Sequence, residues 1–512
     1  MHITKLLENM KWLDVQGDLS GDVASICYDS RQCGEQSLFI AVSGLKVDGH
    51  AYVTEAVKRG ARFIIHEKDI PAIDGVTMIR VENSRQAMSI LGRNFFADPS
   101  SQMCLIGVTG TNGKTTVSYM MESIFRAAGY AAGVLGTVNY RYGDVTLPAP
   151  NTTPESLDMQ RILGTMSGAG VTHVVAEVSS HAVDLGRVDD CDFDLGVFTN
   201  LSQDHLDYHE TMERYFDAKK RFFSEILPRS KKKRPVQMVV NKDDPWGRRL
   251  LDEIDLPAWG FGIEEQCEVK AAHYKFSLDG IGAEIRTECG RFSIESPLIG
   301  KFNLYNVLAA AAAALSLNVP KEAIVRGIAD LKSIPGRLER VNRRGEPHVF
   351  VDYAHTDDAL HKVLENLQPF RRHRIITVFG CGGDRDPGKR PLMARAAAMG
   401  SDRVILTSDN PRSEDPLEIL KAIEQGIPKD MMAFADPTVF PQVEDEKAYT
   451  VMPDRQSAIE AAIAMADVKD IVLIAGKGHE DYQILGNKKI YFDDRVVSAA
   501  ALSHSFDRRG AS

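Results

Sequence analysis

Short apolar runs and amphipathic stretches alternate along the whole chain, and this pattern predicts its secondary structure. Near the N-terminus, apolar runs predict strands at 37–42, 61–66 and 77–81, and helical periodicity predicts helices at 51–59 and 84–96. Further strands are predicted at 103–108, 132–137, 172–178, 194–199, 236–241, 348–353, 374–380, 403–408 and 471–475. An alanine-rich helix is predicted at 302–317. The alternation is typical of α/β folds with mostly parallel sheets.

Two breaks in the pattern predict domain boundaries. The polar stretch 97–102 contains a proline and precedes an apolar strand, and Ile334-Pro-Gly336 interrupts the chain again. We therefore predict three domains, at 1–98, 99–333 and 334–512, which suits the length of 512 residues.

Composition and charge narrow the class of protein. The chain is 44% hydrophobic and 26% charged with a net charge of -10, which is typical of a globular protein and argues against a nucleic-acid partner. The basic run 229–234 is then predicted to be a solvated loop. Without a signal pattern or a bilayer-length apolar run, we expect a cytoplasmic protein with no membrane insertion. We also expect it to be a monomer. The seven scattered cysteines lack a C-x-x-C pair and indicate neither a disulfide framework nor a zinc site: Cys27, Cys33, Cys104, Cys191, Cys267, Cys289 and Cys381.

A phosphate-binding loop is predicted between the strand at 103–108 and the helix that follows it. Gly110 and Gly113 allow the backbone N–H groups to turn inward, and Lys114 and Thr115 open the helix. A lysine there can reach the β- and γ-phosphates of a nucleotide, and the threonine can bind magnesium. The spacing departs from G-x-x-x-x-G-K-[ST], because Val108 stands where that pattern has its first glycine.

Two side chains at strand ends are candidate metal ligands. Glu177 closes an apolar strand, where a carboxylate is costly to bury unless a cation or hydrogen bonds compensate it. His205 follows the next predicted strand, although a single loop histidine is more often structural.

Lys219 lies on an aromatic helix face. At helical spacing it shares that face with Tyr215, Phe216, Phe222 and Phe223. Desolvation favours a neutral amine, which can take up carbon dioxide and become a metal-binding carbamate. The alternative is a lysine that extends along the apolar surface into water, and the pattern alone favours that alternative.

These motifs resemble those of the Mur ligases and the related folylpolyglutamate synthases. The similar segments are Gly-Thr-Asn-Gly-Lys-Thr-Thr116, Glu-Val-Ser-Ser-His181, 199–209 and Ala218-Lys219. The resemblance implies a three-domain α/β architecture with a central P-loop ATPase-like sheet and a Rossmann-like C-terminal domain. It implies magnesium binding by Thr115, Glu177, His205 and carbamylated Lys219, with catalytic roles for Lys114, Lys219 and His205. It also implies ATP contacts from Gly110, Thr111, Asn112, Gly113, Lys114, Thr115, Thr116, Asn306 and Arg337.

Other segments resemble the branch of the family that extends the peptidoglycan peptide at its third residue. Tyr28-Asp-Ser-Arg31 implies Ser30 as a UDP-sugar contact, and Asn151, Thr152, Thr153, Ser179 and Arg187 are implied contacts for the sugar and peptide. In the last domain the implied amino acid contacts are Arg385, Asp409, Asn410, Pro411, Arg412, Gly476 and Glu480. The implied substrates are ATP, UDP-N-acetylmuramoyl-L-alanyl-D-glutamate and meso-diaminopimelate. One departure is Asp357, where the family usually has proline; it is expected to change only a helix start.

Three alternatives stand beside this interpretation. The same ligase reaction could use L-lysine as acceptor, or the chain could be a folylpolyglutamate synthase-like ligase, although the first domain and the Asp409-Asn-Pro-Arg412 segment argue against the latter. A GTPase is suggested by Asn241-Lys-Asp-Asp244, but no D-x-x-G lies between Thr116 and Asn241.

Overall fold

The structure is a computed structural model that describes residues 1–44, 47–288, 290–343, 345–434, 440 and 447–507, so Cys289 lies outside the described residues. The chain folds into two units. The first comprises 1–273, 284–294 and 305–330, and the second comprises 274–283, 295–304 and 331–512.

The N-terminal part of the first unit is built on a five-stranded sheet in the order β1-β5-β4-β3-β2. Strands β2 to β5 pair in parallel, and β1 joins β5 antiparallel. Its strands are β1 Asp14–Gln16, β2 Ser25–Cys27, β3 Ser37–Ile40, β4 Ala61–His66 and β5 Thr77–Arg80, and its helices are α1 Ile3–Leu6, α2 Val53–Lys58 and α3 Ser84–Phe95.

The central sheet has eleven strands in the order β16-β15-β14-β13-β12-β11-β6-β10-β7-β8-β9. Its strands are β6 Cys104–Thr109, β7 Ala132–Leu135, β8 Tyr140–Tyr142, β9 Val145–Leu147, β10 His173–Glu177, β11 Leu195–Phe198, β12 Gln237–Asn241, β13 Ala258–Gly262, β14 Val269–Ser277, β15 Gly280–Thr287 and β16 Gly290–Ser296. The helices of this region are α4 Lys114–Ala127, α5 Ser156–Gly168, α6 Ser180–Asp184, α7 Leu206–His209, α8 Met212–Arg221, α9 Pro245–Glu253, α10 Lys301–Ser316 and α11 Lys321–Asp330.

Strand β6 lies at the middle of this sheet, with β10 and β11 parallel to it on either side. Residues 105–109 are buried, as expected for a strand covered on both faces. The carboxyl ends of β6, β10 and β11 therefore meet at one sheet edge, where α/β sheets bind their ligands.

The second unit contains a seven-stranded sheet in the order β17-β18-β23-β19-β20-β22-β21 and a hairpin of β24 and β25. All pairs in the larger sheet are parallel except β17 with β18. Its strands are β17 Glu339–Arg340, β18 His348–Asp352, β19 Ile375–Phe379, β20 Arg403–Leu406, β21 Met432–Phe434, β22 Ala448–Val451, β23 Ile471–Ala475, β24 Tyr482–Leu485 and β25 Lys488–Tyr491. Its helices are α12 Asp357–Leu367, α13 Lys389–Gly400, α14 Pro416–Glu424, α15 Arg455–Met465 and α16 Asp494–Asp507.

The predicted elements correspond to strands and helices of the structure, with ends that differ by a few residues. Asp357 lies at a helix start as predicted, since α12 begins at that residue and Thr356 caps it. Short or half-exposed strands such as β1, β8, β9 and β13 to β16 were not predicted. The division into three domains stays a prediction. No helix in the described part of the chain combines the length and apolar character needed to cross a lipid bilayer.

A fully buried ion pair fixes the carboxyl edge of the C-terminal sheet. Arg455 and Asp494 are both 0% exposed, and the Arg455 guanidinium donates to the two Asp494 carboxylate oxygens at 2.8 and 2.7 Å. The same guanidinium donates to the Ala475 carbonyl at 3.0 Å, at the end of β23. The pair therefore holds the strand end from which the loop at 476–481 begins.

We predict that Asp494→Ala destabilises the C-terminal unit by about 3–5 kcal/mol, because it leaves the Arg455 charge buried without its counter-ion. The measurement is urea denaturation followed by circular dichroism. The control is Glu418→Ala, which breaks the exposed Lys421 pair and should cost less than about 1 kcal/mol. Equal effects of the two substitutions would contradict the prediction.

Candidate functional site

The loop between β6 and α4 requires glycine at two positions. Gly110 and Gly113 have φ of +145° and +91°. A Cβ atom on Gly110 would lie 1.9 Å from the Thr199 hydroxyl, and one on Gly113 would lie 2.4 Å from the Asn306 side-chain oxygen. The backbone can therefore pass close to β11 and α10 and turn into α4, whose first N–H groups are suited to bind phosphate.

Lys114 lies over this loop. Its ammonium donates to the Gly110 carbonyl at 2.8 Å and to the Thr111 carbonyl at 2.9 Å. The positive charge is thus placed beside the N-terminus of α4, where anions are stabilised. This is the position that the sequence predicts for the lysine of a phosphate-binding loop.

Lys219 is buried against the same loop. Its side chain is 1% exposed, its amine donates to the Gly110 carbonyl at 3.1 Å, and the amine nitrogen lies 4.7 Å from the centre of the Tyr215 ring. Burial, with a further contribution from the Lys114 ammonium, holds the pKa of Lys219 well below its ordinary value. The predicted aromatic environment is confirmed, and the extended, solvated alternative is wrong. Carbamylation stays a prediction.

Glu177 ends β10 next to Val108 of β6 and is 1% exposed. Its carboxylate accepts hydrogen bonds from the Thr115 hydroxyl at 3.1 Å, the Thr137 hydroxyl at 2.9 Å and the Thr137 backbone N–H at 3.0 Å. These three bonds compensate for the burial of the charge. They also join the first turn of α4 to the loop after β7.

The predicted contacts for the sugar and peptide surround the other side of Glu177. The Thr153 hydroxyl donates to the Glu177 carbonyl at 2.7 Å and accepts from the Ser179 N–H at 3.1 Å. The Thr152 hydroxyl lies 3.1 Å from that of Thr137, and Arg187 donates to the Thr153 carbonyl at 3.1 Å. Thr152, Thr153, Ser179 and Arg187 thus form one hydrogen-bonded group, which the sequence order alone could not show.

His205 has a left-handed backbone conformation, with φ of +54°, at the start of α7. Its ring lies 4.9 Å from that of His181, and its Nε2 lies 3.5 Å from an Asp204 carboxylate oxygen. Burial lowers the pKa of His205, so the neutral form that can ligate a metal is favoured. Non-glycine residues rarely adopt this conformation, and those that do are concentrated at functional sites.

The donors at this edge fit magnesium better than zinc. Among the described residues, no group of three or more His, Cys, Asp or Glu side chains gathers as metal ligands. Magnesium does not need such a group, because proteins hold it through one or two carboxylates together with phosphate oxygens and water. Glu177 and Thr115, already 3.1 Å apart, supply oxygen donors of this kind.

The remaining predicted nucleotide contacts lie in different units. Asn306 is buried on α10 and adjoins Gly113. Arg337 belongs to the second unit, where its guanidinium lies 4.9 Å from the centre of the Tyr353 ring. Ser30 begins the 3₁₀ helix Ser30–Gln32 of the first unit and is 6% exposed.

A second group of predicted residues gathers in the C-terminal unit. The Asn410 amide donates to a Glu480 carboxylate oxygen at 2.9 Å. Arg412 has φ of +54° and donates to the Gly383 carbonyl at 2.6 Å. A Cβ atom on Gly476 would lie 2.9 Å from an Asp409 carboxylate oxygen, so Gly476 and Asp409 are also neighbours. Pro411 lies between Asn410 and Arg412, and Arg385 is exposed next to Gly382.

Sequence reasoning missed two residues that organise these groups. Thr137 supplies two of the bonds to Glu177, and Lys477, which is fully buried, donates to the Glu480 carboxylate at 3.0 Å. Lys477 lies between Gly476 and Gly478 in the sequence, but that spacing does not show that its partner is Glu480.

The segment Asn241-Lys-Asp-Asp244, which suggested a GTPase, makes structural hydrogen bonds. The Asp243 carboxylate accepts from the backbone N–H groups of Ile263, Glu264 and Glu265, and Asp244 caps α9. The Asn241 amide donates to the Thr199 carbonyl at 3.0 Å.

Three models of Mur ligase domains match the chain in order. They are described as "Mur ligase family, catalytic domain" at residues 22–96, "Mur ligase middle domain" at 108–314 and "Mur ligase, glutamate ligase domain" at 336–478.

Relatives of similar length extend the match over the whole chain. A UDP-N-acetylmuramoyl-L-alanyl-D-glutamate--2,6-diaminopimelate ligase from Geobacter sulfurreducens is 43% identical over 505 residues, covering 99% of both chains. A protein of the same name from Solibacter usitatus is 45% identical over 482 residues, covering 94% of both. A solved structure of an enzyme with this name is 31% identical, with a TM-score of 0.69 and 99% coverage of both chains.

We predict that Gly113→Ala lowers nucleotide-dependent turnover by about a hundredfold, because the new methyl group must displace Asn306 or the loop by roughly an ångström. Gly129→Ala is the matched control, since that residue also has positive φ but has no atom within 4 Å of the added Cβ. Turnover is measured as nucleotide-dependent phosphate release on variants whose folding is checked by circular dichroism. Equal losses of turnover in both variants would show that the effect arises from the positive φ and not from the contact with Asn306.

Proposed function

The chain belongs to the Mur ligase family, and we propose that it adds meso-2,6-diaminopimelate to UDP-N-acetylmuramoyl-L-alanyl-D-glutamate with the hydrolysis of ATP. The observation that carries the proposal is the Glu177 network, which joins a phosphate-binding loop to a separate group of polar side chains. In this proposal residues 1–98 hold the UDP group, 99–333 bind ATP and 334–512 select the amino acid.

The nucleotide lies along the loop Gly110-Thr-Asn-Gly113 and the start of α4. Lys114 neutralises the β- and γ-phosphates, Thr115 and Thr116 open the helix, and Asn306 and Arg337 contribute further contacts. Lys114 changes its acceptors from the loop carbonyls to the phosphate oxygens, which its flexible side chain permits.

Glu177, Thr115, His205 and a carbamate on Lys219 would hold magnesium. When bound, the ion neutralises charge on the transferred phosphoryl group. The Lys219 amine is suited to carbamylation because its buried position favours the neutral nucleophile. Thr137 holds Glu177 in place through both its hydroxyl and its backbone N–H.

The reaction proceeds in two steps. The γ-carboxylate of the D-glutamate residue attacks the γ-phosphorus of ATP, forming an acyl phosphate and releasing ADP. The amine of diaminopimelate then attacks the acyl carbon, and a tetrahedral intermediate collapses with loss of phosphate. Ser30 contacts the UDP-sugar, and Asn151, Thr152, Thr153, Ser179 and Arg187 hold the sugar and peptide so that the carboxylate faces the phosphate.

The acceptor is recognised in the C-terminal unit. Arg412 and Arg385 bind the distal carboxylate of diaminopimelate, and Glu480 accepts from its ammonium group. Asp409, Asn410, Pro411 and Gly476 complete the pocket. Lys477 and Asn410 both contact one Glu480 carboxylate oxygen, Oε2, which leaves Oε1 to accept from the substrate.

ATP and the UDP-linked precursor are available together in the cytoplasm, where we propose that the enzyme acts as a monomer in peptidoglycan precursor synthesis. Its partners in this proposal are these small molecules, with no nucleic acid and no membrane insertion.

We predict that Lys219→Ala lowers activity by about 10²–10³-fold, because the magnesium ion that would neutralise charge on the transferred phosphoryl group loses its carbamate ligand. Lys220→Ala is the control. Lys220 is the next residue in the chain, but it forms surface ion pairs with Asp217 and Glu253. Phosphate release is measured with all three substrates. A short carboxylic acid added to Lys219→Ala should restore part of the rate, whereas wild-type activity of this variant would refute the role.

The function itself is tested by phosphate release with the UDP-dipeptide and a panel of amino acids. Diaminopimelate should be preferred over L-lysine by at least about a hundredfold, because lysine leaves Arg412 desolvated without its carboxylate. Equal use of lysine would favour the alternative acceptor.

Arg412→Ala should lose most activity with diaminopimelate and gain little with lysine, since breaking a buried charge pair costs about 3–5 kcal/mol. Arg395→Ala, an exposed arginine on α13, is the matched control. A variant that keeps the full preference would show that another residue selects the acceptor.

A further inference from the structure

Two cysteines enclose the segment that carries Ser30. Cys27 is the last residue of β2, and Cys33 directly follows the 3₁₀ helix Ser30–Gln32. Their sulphur atoms lie 2.9 Å apart. A disulfide bond has a sulphur–sulphur length of about 2.05 Å, so bond formation requires these atoms to approach by roughly 0.9 Å.

The two thiols have different surroundings. Cys27 is 3% exposed, its strand pairs with β3, and its thiol lies 3.7 Å from the Leu38 carbonyl, so its position is fixed. Cys33 is partly exposed at the end of the helix and can be reached by a small reagent. The hydrogen bond between them lowers the pKa of Cys33 and raises that of Cys27. Cys33 is therefore the thiol suited to react first.

We propose that Cys27 and Cys33 form a site of reversible thiol oxidation, whose oxidant is a peroxide, and that the disulfide weakens binding of the UDP substrate at Ser30. The inference rests on the proposed role of Ser30. Cytosolic disulfides are usually transient and redox-sensing, which fits a pair that the fold holds together as thiols.

The chemistry balances with one peroxide. Cys33 loses its thiol proton, its thiolate attacks a peroxide oxygen, and the O–O bond breaks. Cys33 becomes a sulfenic acid, and the departing oxygen takes up a proton in place of the one that Cys33 lost and leaves as an alcohol or water. The Cys27 sulphur then attacks the Cys33 sulphur and displaces hydroxide, which takes the Cys27 proton and leaves as water. Both sulphur atoms are oxidised by one electron each, and the two peroxide oxygens are reduced.

The movement falls on the helix that carries Ser30. Because Cys27 is held in the sheet, Cys33 must shift towards it, and the Cys33 N–H is bonded to the Ser30 carbonyl at 3.2 Å. On the N-terminal side of Ser30, the Tyr28 hydroxyl donates a 2.6 Å hydrogen bond to Asp158 of α5, which fixes Tyr28. Ser30 thus lies between a fixed residue and a moving one, and its hydroxyl changes position.

Binding and oxidation are then linked. If the disulfide raises the Kd of the UDP-dipeptide, the bound UDP-dipeptide must oppose disulfide formation by the same factor. We expect a factor of about five or more, with no change in the Kd of ATP.

The test uses the full chain, treated with hydrogen peroxide, blocked with N-ethylmaleimide and digested for mass spectrometry. A Cys27–Cys33 peptide two hydrogens lighter than the dithiol form, restored by dithiothreitol, is expected. Titration calorimetry on the reduced and oxidised proteins then compares the Kd of the UDP-dipeptide and of ATP. Cys33→Ser should abolish both the linked peptide and the effect on binding, and Cys104→Ser should abolish neither.

The outcomes separate this inference from the proposed function. Absence of the linked peptide, or a linked peptide with an unchanged Kd of the UDP-dipeptide, overturns the oxidation site or its coupling. Failure of the reduced protein to bind the UDP-dipeptide instead contradicts the proposed function, while the mass measurement still reports whether the disulfide forms. Cys33→Ser is preferred over substitution of buried Cys27 because it is the better tolerated position.

Discussion

Burial of the Glu177 carboxylate is the constraint on which the central site depends. An isolated buried carboxylate would cost several kcal/mol, so its oxygens must be hydrogen-bonded or paired with a cation. Here the donors come from the first turn of α4 and from the loop after β7, and the carbonyl of the same residue accepts from Thr153. Glu177 therefore fixes the spacing between the proposed nucleotide side and the proposed peptide side of the site.

The sequence predicts those parts of the structure that follow from local periodicity. Strand β6, the glycine turn at 110–113 and the aromatic face around Lys219 could all be predicted, because each depends on residues close together in the chain. Thr137 and Lys477 could not be identified as organising residues, since their roles arise from contacts made only in the folded chain. Strands β13 to β16 were missed because part-exposed strands show weaker apolar runs.

The two units use the same architectural principle with different chemistry. In each, loops at the carboxyl ends of parallel strands bring charged groups together. Around Glu177 the buried charge is held mainly by hydroxyl and backbone donors, whereas in the C-terminal unit Lys477 balances Glu480 directly. Arg412 adds a left-handed backbone, a conformation that persists where the surrounding contacts determine it strongly.

Lys114 and Lys219 donate to the same carbonyl oxygen, and their closeness affects the charge state of Lys219. Both amines contact the Gly110 carbonyl, at 2.8 and 3.1 Å, so protonating both would bring two ammonium groups into close repulsion, and the Lys114 charge favours the neutral Lys219 amine. The proposed carbamate on Lys219 would be an anion, and the Lys114 ammonium would attract it. In this proposal the charge of Lys114 stabilises the modified form of its neighbour, and exchanging Lys114 for a neutral residue would remove part of the reason for Lys219 to carry a carbamate.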